Sequence, residues 1–240
     1  MANDQERVPT GINGLDELLS GGYIRKSMNL LSGSPGSGKS ILAMQFIING
    51  AVKHNEPGVY ISFEEDAESL RRNMKNFGWD IEQLEKEGKI AIINISPIDI
   101  EPSPSDSDIS NGSSLGIKYS IVKKIKAKRI VIDSATAYSV LYTDELSKRK
   151  AHLELFKMLK DWGCTSLLIA EHDLETHTSS PLDFEVDSIT WMYNFKKEHL
   201  RTRAIEIIKM RGSKHSTSTS ALEITEKGIV VYPGEPVFKS

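Results

Sequence analysis

Short apolar runs alternate with helix-type segments along the first two thirds of the chain. Five runs rich in β-branched and aromatic residues predict buried strands, at 27–32, 58–63, 90–95, 129–133 and 165–171. Between them lie segments with apolar residues at helical spacing, at 41–53, 66–77, from about 115, and at 144–162. Alternation of this kind predicts a mostly parallel sheet with helices on both faces.

Hairpin patterns replace this alternation after residue 171. The segments 187–195 and 201–210 predict one hairpin, and 221–225 with 228–232 predict another. We therefore expect an α/β fold with a mostly parallel central sheet flanked by helices and antiparallel hairpins at the C-terminal end. The hairpins would extend one side of the sheet.

Domain organisation follows from the absence of an internal repeat or a clear linker in the sequence. We expect one domain over residues 1–240. The stretch 97–116 is poor in large apolar residues and rich in Pro, Ser, Asp and Gly, which predicts a surface loop. Residues 233–240 are expected to form a tail, and His172 to Pro181 a polar loop.

One stretch between the first strand and the first long helix has a specific chemistry. Residues 33–40 read G-S-P-G-S-G-K-S, a full match to the phosphate-binding loop G-x-x-x-x-G-K-[ST]. Its backbone N–H groups can cradle phosphate oxygens, Lys39 can reach the β- and γ-phosphates, and the Ser40 hydroxyl can bind Mg²⁺. The predicted nucleotide-binding residues are Gly33, Ser34, Pro35, Gly36, Ser37, Gly38, Lys39, Ser40 and Ile41.

Charge and composition limit the binding partners and the cellular compartment that we expect for this protein. The chain has 33 acidic and 30 basic residues, a net charge of −3, so its overall charge supports neither nucleic-acid nor membrane binding. It has 1 cysteine, Cys164, so no intrachain disulfide can form. We expect no signal peptide and no transmembrane helix, and therefore a cytoplasmic protein.

Carboxylates follow two of the predicted strands. Asp133 ends a buried strand, as expected of the acid that holds Mg²⁺ in P-loop enzymes. Glu64 and Glu65 follow the strand after the P-loop helix, where a base for the attacking water is needed. The alternative is that Glu65, with Asp66 and Glu68, only complements a helix dipole. Two carboxylates beside a metal and a phosphate favour catalysis.

Two cations near the end of the last long strand form a second candidate group. In strand alternation, Lys209 and Arg211 point to one face and Met210 to the other. They could stabilise the transferred phosphoryl group at a neighbouring subunit's nucleotide. They could equally be the charges that protect a solvated edge strand, and the strand alone does not decide between these.

Together these motifs resemble the KaiC-like ATPases of the RecA superfamily, in their single-domain form. The resemblance rests on segments spread over nearly the whole chain: Thr10–Asp16 with Gly21 and Gly22, then 33–40, 62–65, 130–134 and 209–215. It implies a RecA-like P-loop NTPase fold and hydrolysis of ATP to ADP and phosphate in a homo-oligomeric ring, usually a hexamer, with nucleotide at the subunit interfaces.

The resemblance also implies roles for individual residues. Glu64 would be the base for water, with Glu65 assisting at the metal beside Ser40 and Asp133, and the Lys-x-Arg segment would act on the neighbour's nucleotide. The positions lining the nucleotide would include Asn76, Lys209, Met210, Arg211, Ser213, His215, Thr225 and Glu226.

The sequence departs from the circadian-clock member of that family in two respects. That protein has two such domains in tandem, and its phosphorylated pair lies four and three residues before the acid matching Asp187. Here those positions are Asp183 and Phe184, neither of which has a hydroxyl. Two alternatives stay open beside a nucleotide-driven regulatory switch with a protein partner. One is a DNA-binding recombinase paralogue using the lysine-rich 123–129 and the loop 172–182, and the other is an ATP-dependent protein kinase or autokinase.

Overall fold

The computed structural model describes residues 6–95, 114–140, 142, 144–171, 181–197, 199–235 and 237. The strands in these residues are β1 (Arg7–Val8), β2 (Tyr23–Ile24), β3 (Met28–Gly33), β4 (Gly58–Ser62), β5 (Ile90–Asn94), β6 (Arg129–Asp133), β7 (Thr165–Glu171), β8 (Ser188–Lys197), β9 (Leu200–Met210), β10 (Ser220–Thr225) and β11 (Gly228–Tyr232). The helices are α1 (Leu15–Leu18), α2 (Lys39–Lys53), α3 (Ala67–Lys75), α4 (Ile81–Lys86), α5 (Ser114–Lys124), α6 (Ala135–Val140), α7 (Glu145–Trp162) and α8 (Pro181–Glu185).

Nine of the described strands form one sheet in the order β11-β10-β9-β8-β3-β7-β6-β4-β5. The six strands from β8 to β5 in this order run parallel. Strands β9, β10 and β11 continue the sheet as antiparallel neighbours beyond β8. The predicted fold class is confirmed, and β3, the strand that leads into the P-loop, lies in the middle of the sheet.

Two hydrophobic cores lie on opposite faces of the sheet. One is formed mainly by α1, α2, α3 and α4, and it includes Phe46 and Met192. The other is formed by α5, α6, α7 and α8. Helix α2 is buried on nearly all sides, as its apolar composition predicts, and its exposed apolar residue is Val52, near the C-terminus. This packing holds the N-terminus of α2 rigidly against the sheet.

An arginine with no exposed surface joins α2, β6 and the N-terminal segment. The Arg129 guanidinium donates to Glu56 Oε2 (2.8 Å), Phe46 O (2.9 Å) and Pro9 O (2.9 Å). Gly50 makes room for it, since a Cβ there would lie 2.4 Å from Arg129 Cδ. Arg129 therefore does not belong to a solvent-facing basic patch, and the lysine-rich helix expected over 123–129 ends at Lys124.

The short helices are the main departures from the expected elements. Helices α4, α6 and α8 have five or six residues each, which is too short to show a helical period. The polar loop expected up to Pro181 is wrong at its end, since Pro181 begins α8. Helix α5 begins at Ser114, which confirms the helix expected from about residue 115 and shortens the surface loop expected over 97–116. The rest of both loops lies outside the described residues.

The caps and sequence ends follow the expectations more closely. Asp66 caps α3 as predicted, and its carboxylate accepts from Ser69 N at 2.9 Å. In the predicted tail, residues 233–235 and 237 are described and lie beyond the last strand. Among the described residues, no helix is both long and apolar enough to span a membrane.

Candidate active site

The phosphate-binding loop joins the carboxyl end of β3 to the amino end of α2. Gly33 adopts a φ of +152°, and a Cβ there would lie 2.1 Å from Met192 O, so glycine is required at this position. The Lys39 ammonium donates to Gly33 O (2.8 Å) and Ser34 O (3.1 Å), which folds the loop around its own lysine. Because the loop follows the carboxyl end of β3, it lies at the carboxyl end of the sheet.

Two side chains of the β8–β9 hairpin support the loop from outside. Asn194 Nδ2 on β8 donates to Pro35 O at 3.3 Å, and Arg203 Nε on β9 donates to Gly36 O at 3.0 Å. These contacts could not be predicted from the residue pattern, because they depend on β8 pairing with β3. They show that the first hairpin is part of the loop's scaffold.

A cleft of about 310 Å³ opens over the loop at the carboxyl end of the sheet. Its lining is Pro35, Gly36, Gly38, Lys39, Ser40, Ile41, Glu64, Asp133, Ser134, Ile169 and Glu171. Burial lowers the pKa of Lys39, against the opposing attraction of Glu171, Asp133 and Glu64. One cation thus faces three carboxylates, and a divalent metal ion would reduce this excess of negative charge.

Asp133 and Ser40 form the part of the cleft suited to a metal ion. Asp133 ends β6 and is nine-tenths buried. Burial raises the pKa of its carboxyl, while hydrogen bonds from Tyr60 and Ser40 oppose that rise. No group of three or more His, Cys, Asp or Glu side chains in the described residues could hold a metal alone. One carboxylate and one hydroxyl fit Mg²⁺, which keeps waters and takes phosphate oxygens as its other ligands.

The adjacent carboxylates Glu64 and Glu65 point to different surroundings. Glu64 lines the cleft, and its Oε1 accepts from Ser134 Oγ at 2.6 Å. Ser134 Oγ in turn accepts from Ala137 N at 3.0 Å, which fixes the hydroxyl. Glu65 is not part of the cleft lining, and its Oε1 accepts from Asn73 Nδ2 at 2.6 Å. Of the two, only Glu64 faces the loop, so the metal role expected for Glu65 stays a prediction.

The Lys–Arg pair, Lys209 and Arg211, lies at the opposite end of the sheet. Met210 pairs with Ser188, and Arg211 N donates to Asp187 O, beside the start of β3. Because Asp187 N donates to Met28 O, and Gly33 is five residues further along β3, the pair lies about 16 Å from the loop along the strand direction. That is farther than an arginine side chain extends. Within one subunit the pair therefore lies beyond reach of the loop.

The Lys–Arg pair donates hydrogen bonds to main-chain carbonyls of α8 and of the residue after it. Lys209 Nζ donates to Asp183 O (2.7 Å) and Val186 O (2.8 Å), and Arg211 donates to Phe184 O. Both side chains thus point to one face, while the Met210 side chain is buried, as the strand alternation predicted. Burial, and then repulsion from Arg211, lower the pKa of Lys209.

The remaining predicted nucleotide residues divide between the two ends of the sheet. Thr225 and Glu226 belong to the β10–β11 turn next to the loop, because a Cβ on Gly38 would meet the side chains of the flanking Ile224 and Ile229. Asn76 ends α3, whose following turn brings Trp79 close to Gly228 in the same region. Ser213 and His215 instead follow the Lys–Arg pair, and Ser213 Oγ accepts from Arg7.

Comparison with known proteins identifies the family. The sequence model described as "ATPase: KaiC" matches residues 8–236. The chain belongs to the KaiC family of ATPases. It is 37% identical to a UPF0273 protein of Thermotoga maritima over 238 residues, which cover 96% of this chain and 97% of that one. It is 34% identical to the circadian clock oscillator protein KaiC of Parathermosynechococcus lividus, covering 93% of this chain and 42% of that protein.

A solved structure supports the same assignment. The crystal structure of a KaiC-like protein from Pyrococcus horikoshii OT3 matches with a TM-score of 0.83 and 37% identity, covering 95% of this chain and 99% of that one. The predicted resemblance to KaiC-like ATPases is therefore confirmed. Membership of this family supports ATPase-type activity and nucleotide binding in general terms.

In this KaiC-family site, sequence reasoning missed Glu171. It pairs with Gly33 across β3 and β7 and lines the cleft opposite Lys39. The available signal was that β7 ends in an acid, but the sequence does not reveal that β7 neighbours the P-loop strand. Tyr60 was missed for a similar reason: it reads as a core aromatic, yet its hydroxyl donates to Asp133 Oδ2.

Proposed function

We propose that this KaiC-family chain hydrolyses ATP to ADP and phosphate in an Mg²⁺-dependent reaction. The observation that supports this most strongly is the cleft, where Lys39, Ser40, Asp133 and Glu64 line one cavity over a complete phosphate-binding loop. Each of these residue types has a distinct task in phosphoryl transfer, and here they lie at the carboxyl end of a parallel sheet, where α/β proteins bind ligands.

Binding of the triphosphate is assigned to the loop and to α2. Backbone N–H groups of residues 36–41, at the N-terminus of α2, attract the phosphates, and the Lys39 ammonium moves from its loop carbonyls to the β- and γ-oxygens. Ser40 and Asp133 would hold the Mg²⁺. When bound, this ion neutralises the charge of the β- and γ-phosphates.

Glu64 is proposed as the general base. Its carboxylate accepts a proton from water while the water oxygen bonds to the γ-phosphorus and the bond to the β–γ bridging oxygen breaks. ADP takes the electron pair of the broken bond. The Ser134 hydroxyl, donating to Glu64 Oε1 at 2.6 Å, holds the other end of this carboxylate and keeps it directed at the cleft. Glu65, which accepts a hydrogen bond from Asn73 in this structure, would assist at the metal ion.

The Lys–Arg pair is proposed to complete the site of a neighbouring subunit. Its position at the amino end of the sheet excludes a contact with its own loop, so a nucleotide role requires a second copy of the chain. A closed ring, with a hexamer as our expectation from KaiC, supplies such a neighbour at each interface. Ser213 and His215 would then line the neighbour's nucleotide, to which Met210 could offer only its main chain because its side chain is buried. Asn76, Thr225 and Glu226 would line the subunit's own nucleotide.

The biological role that follows is a nucleotide-driven switch. A single-domain ring that alternates between ATP and ADP states would signal to a protein partner, in the cytoplasm, without contacting a membrane. The two alternatives gain no specific support from the described residues. Arg129 is buried and so cannot contribute to a nucleic-acid-binding surface. At the positions where the clock protein is phosphorylated, this chain has Asp183 and Phe184, which have no hydroxyl to accept a phosphate.

The decisive test is phosphate release by Glu64→Gln in the presence of ATP and Mg²⁺. We expect ATP binding close to wild type and phosphate release reduced by about a hundredfold or more, because the amide cannot accept the proton. Glu68→Gln is the matched control, since Glu68 is exposed on α3 outside the cleft, and it should behave as wild type. Unchanged release in Glu64→Gln would remove Glu64 from the mechanism. Wild-type protein that releases no phosphate would overturn the proposed reaction.

A further inference from the structure

Tyr60 is a tyrosine with no exposed surface that lies beneath the candidate metal site. It belongs to β4, next to β6, and it pairs with Val131. Residues two apart on a strand share a face, so Val131 and Asp133 lie on the same face as Tyr60. The Tyr60 hydroxyl donates to Asp133 Oδ2, and this contact joins two strands at the floor of the cleft.

Ser40 is the third member of this hydrogen-bonded group. Its hydroxyl lies beside both Tyr60 and Asp133, and either of them can accept its one hydrogen. A hydroxyl that binds a cation must direct its lone pairs at the ion and its hydrogen elsewhere. The Tyr60 oxygen can accept that hydrogen, because its own hydrogen is directed to Asp133. Tyr60 thus contacts both side chains that would bind Mg²⁺.

Packing alone does not account for a tyrosine here. A phenylalanine would fill the same space, and a buried hydroxyl costs free energy unless it is paired. The hydroxyl is paired with Asp133, the carboxylate proposed to bind the metal. One carboxylate oxygen is thereby held in place, while the other can bind the ion. Partners of this kind orient ligands and typically change metal affinity by about 10–100-fold.

We propose that Tyr60 is a positioning residue for Mg²⁺, which orients the Asp133 carboxylate and the Ser40 hydroxyl toward the ion. The proposal rests on the proposed function, because it assumes that these two residues hold Mg²⁺ beside a bound nucleotide. It assigns Tyr60 no proton transfer and no contact with the nucleotide. Its effect should therefore be visible in metal binding without turnover.

The experiment titrates Mg²⁺ into protein that holds a fluorescent ADP analogue. In Tyr60→Phe, we expect the Mg²⁺ concentration for half-maximal response to rise about tenfold or more, with unchanged affinity for the analogue in EDTA. Tyr23→Phe is the matched control, since Tyr23 is also fully buried in the described structure but lies on β2, outside the cleft. Its Mg²⁺ response should equal that of wild type.

The outcomes separate this inference from the proposed function. Wild-type protein that binds no nucleotide, or binds it independently of Mg²⁺, overturns both. A normal wild-type response with an equal response in Tyr60→Phe overturns the positioning role alone. A thermal midpoint that falls while the Mg²⁺ response is unchanged would show that Tyr60 only ties the strands together.

Two further measurements keep the inference testable. In an Asp133→Asn background, adding Tyr60→Phe should change the Mg²⁺ response less than it does in the wild-type background, because part of its effect acts through Asp133. A full additional loss would contradict that route. If Tyr60→Phe folds poorly, 3-fluorotyrosine placed at position 60 keeps the hydroxyl, and its ¹⁹F resonance should shift when Mg²⁺ joins the ADP-bound protein. An unchanged resonance would count against the proposal.

Discussion

The two ends of the central sheet present charges in different ways. At the carboxyl end, Lys39, Asp133 and Glu64 converge on one cleft over the phosphate-binding loop. At the amino end, Lys209 and Arg211 bind main-chain carbonyls of residues 183–186, and Arg129 is buried against Glu56. Under the proposed function, one subunit would hold a nearly complete phosphate site, whereas Lys209 and Arg211 would act in catalysis only beside a second subunit.

Removing a cation at the amino end should have the largest effect if that comparison is right. Arg211→Ala is expected to reduce phosphate release about a thousandfold, as loss of an arginine finger does, while the protein still binds ATP through its own loop. Its thermal midpoint should stay near that of wild type, because the side chain is half exposed. Phosphate release and equilibrium ATP binding measure the two effects.

Arg201→Ala is the control for this substitution. Arg201 is an exposed arginine on the same strand, near the other end of β9, and it should tolerate the change. Normal phosphate release by Arg211→Ala would show that the Lys–Arg pair is only a solvated strand end. The proposed division of the site between the two ends of the sheet would then be wrong.

At the carboxyl end, Ser134→Ala tests how firmly the base is held. Loss of the hydrogen bond to Glu64 Oε1 lets this exposed carboxylate rotate, so kcat should fall on the order of tenfold with little change in KM for ATP. Steady-state kinetics with Ser147→Ala as the control, a serine on α7 outside the cleft, would measure the effect. A rise in KM with unchanged kcat would assign Ser134 to binding instead.

Arg129 also lies at the amino end, but unlike Arg211 it is expected to have only a structural role. Arg129→Met leaves Glu56 without its buried partner, which should lower the free energy of unfolding by about 3–5 kcal/mol. Under conditions where it stays folded, its phosphate release per folded molecule should remain near that of wild type. Denaturant unfolding measures the stability, and phosphate release measures the activity. A loss of activity without a loss of stability would assign Arg129 a catalytic role instead of a structural one.

Acid should reveal the same ion pair with a smaller effect. Burial works to raise the pKa of Glu56, but its bonds to Arg129 and Arg25 outweigh this and lower it in the folded state. The stabilisation is then present above the unfolded-state pKa and is lost as pH falls through the folded-state value. Stability should therefore decline below about pH 4.5, and less steeply in Glu56→Gln. Identical acid profiles would show that the pair contributes no pH dependence.

The carboxyl end of the sheet was largely predictable because its residues mark the ends of strands and a complete loop motif. Gly33 to Ser40, Asp133 and Glu64 each follow a recognisable strand, and parallel strands end together. Glu171 and Tyr60 escaped prediction because their roles depend on which strands are neighbours. Residue spacing does not encode that β7 and β8 flank β3, or that β4 lies beside β6.

Local periodicity also explains which elements were found. Long helices such as α2 and α7 show their buried faces in sequence, whereas α6 and α8 have too few residues to do so. The shared face of Lys209 and Arg211 followed from strand alternation, but their bonds to carbonyls of 183–186 did not, because α8 was unrecognised. A role that depends on a second subunit lies beyond both the sequence pattern and a single subunit's contacts.

Mixing two inactive variants tests the divided site most directly. Glu64→Gln keeps the loop and the Lys–Arg pair but lacks the base, and Arg211→Ala keeps the base but lacks the finger. In an equal mixture, random assembly joins an intact loop and base to an intact neighbouring pair at about one interface in four, so phosphate release should recover to about a quarter of wild type. A mixture no more active than its better component would contradict a site shared between subunits.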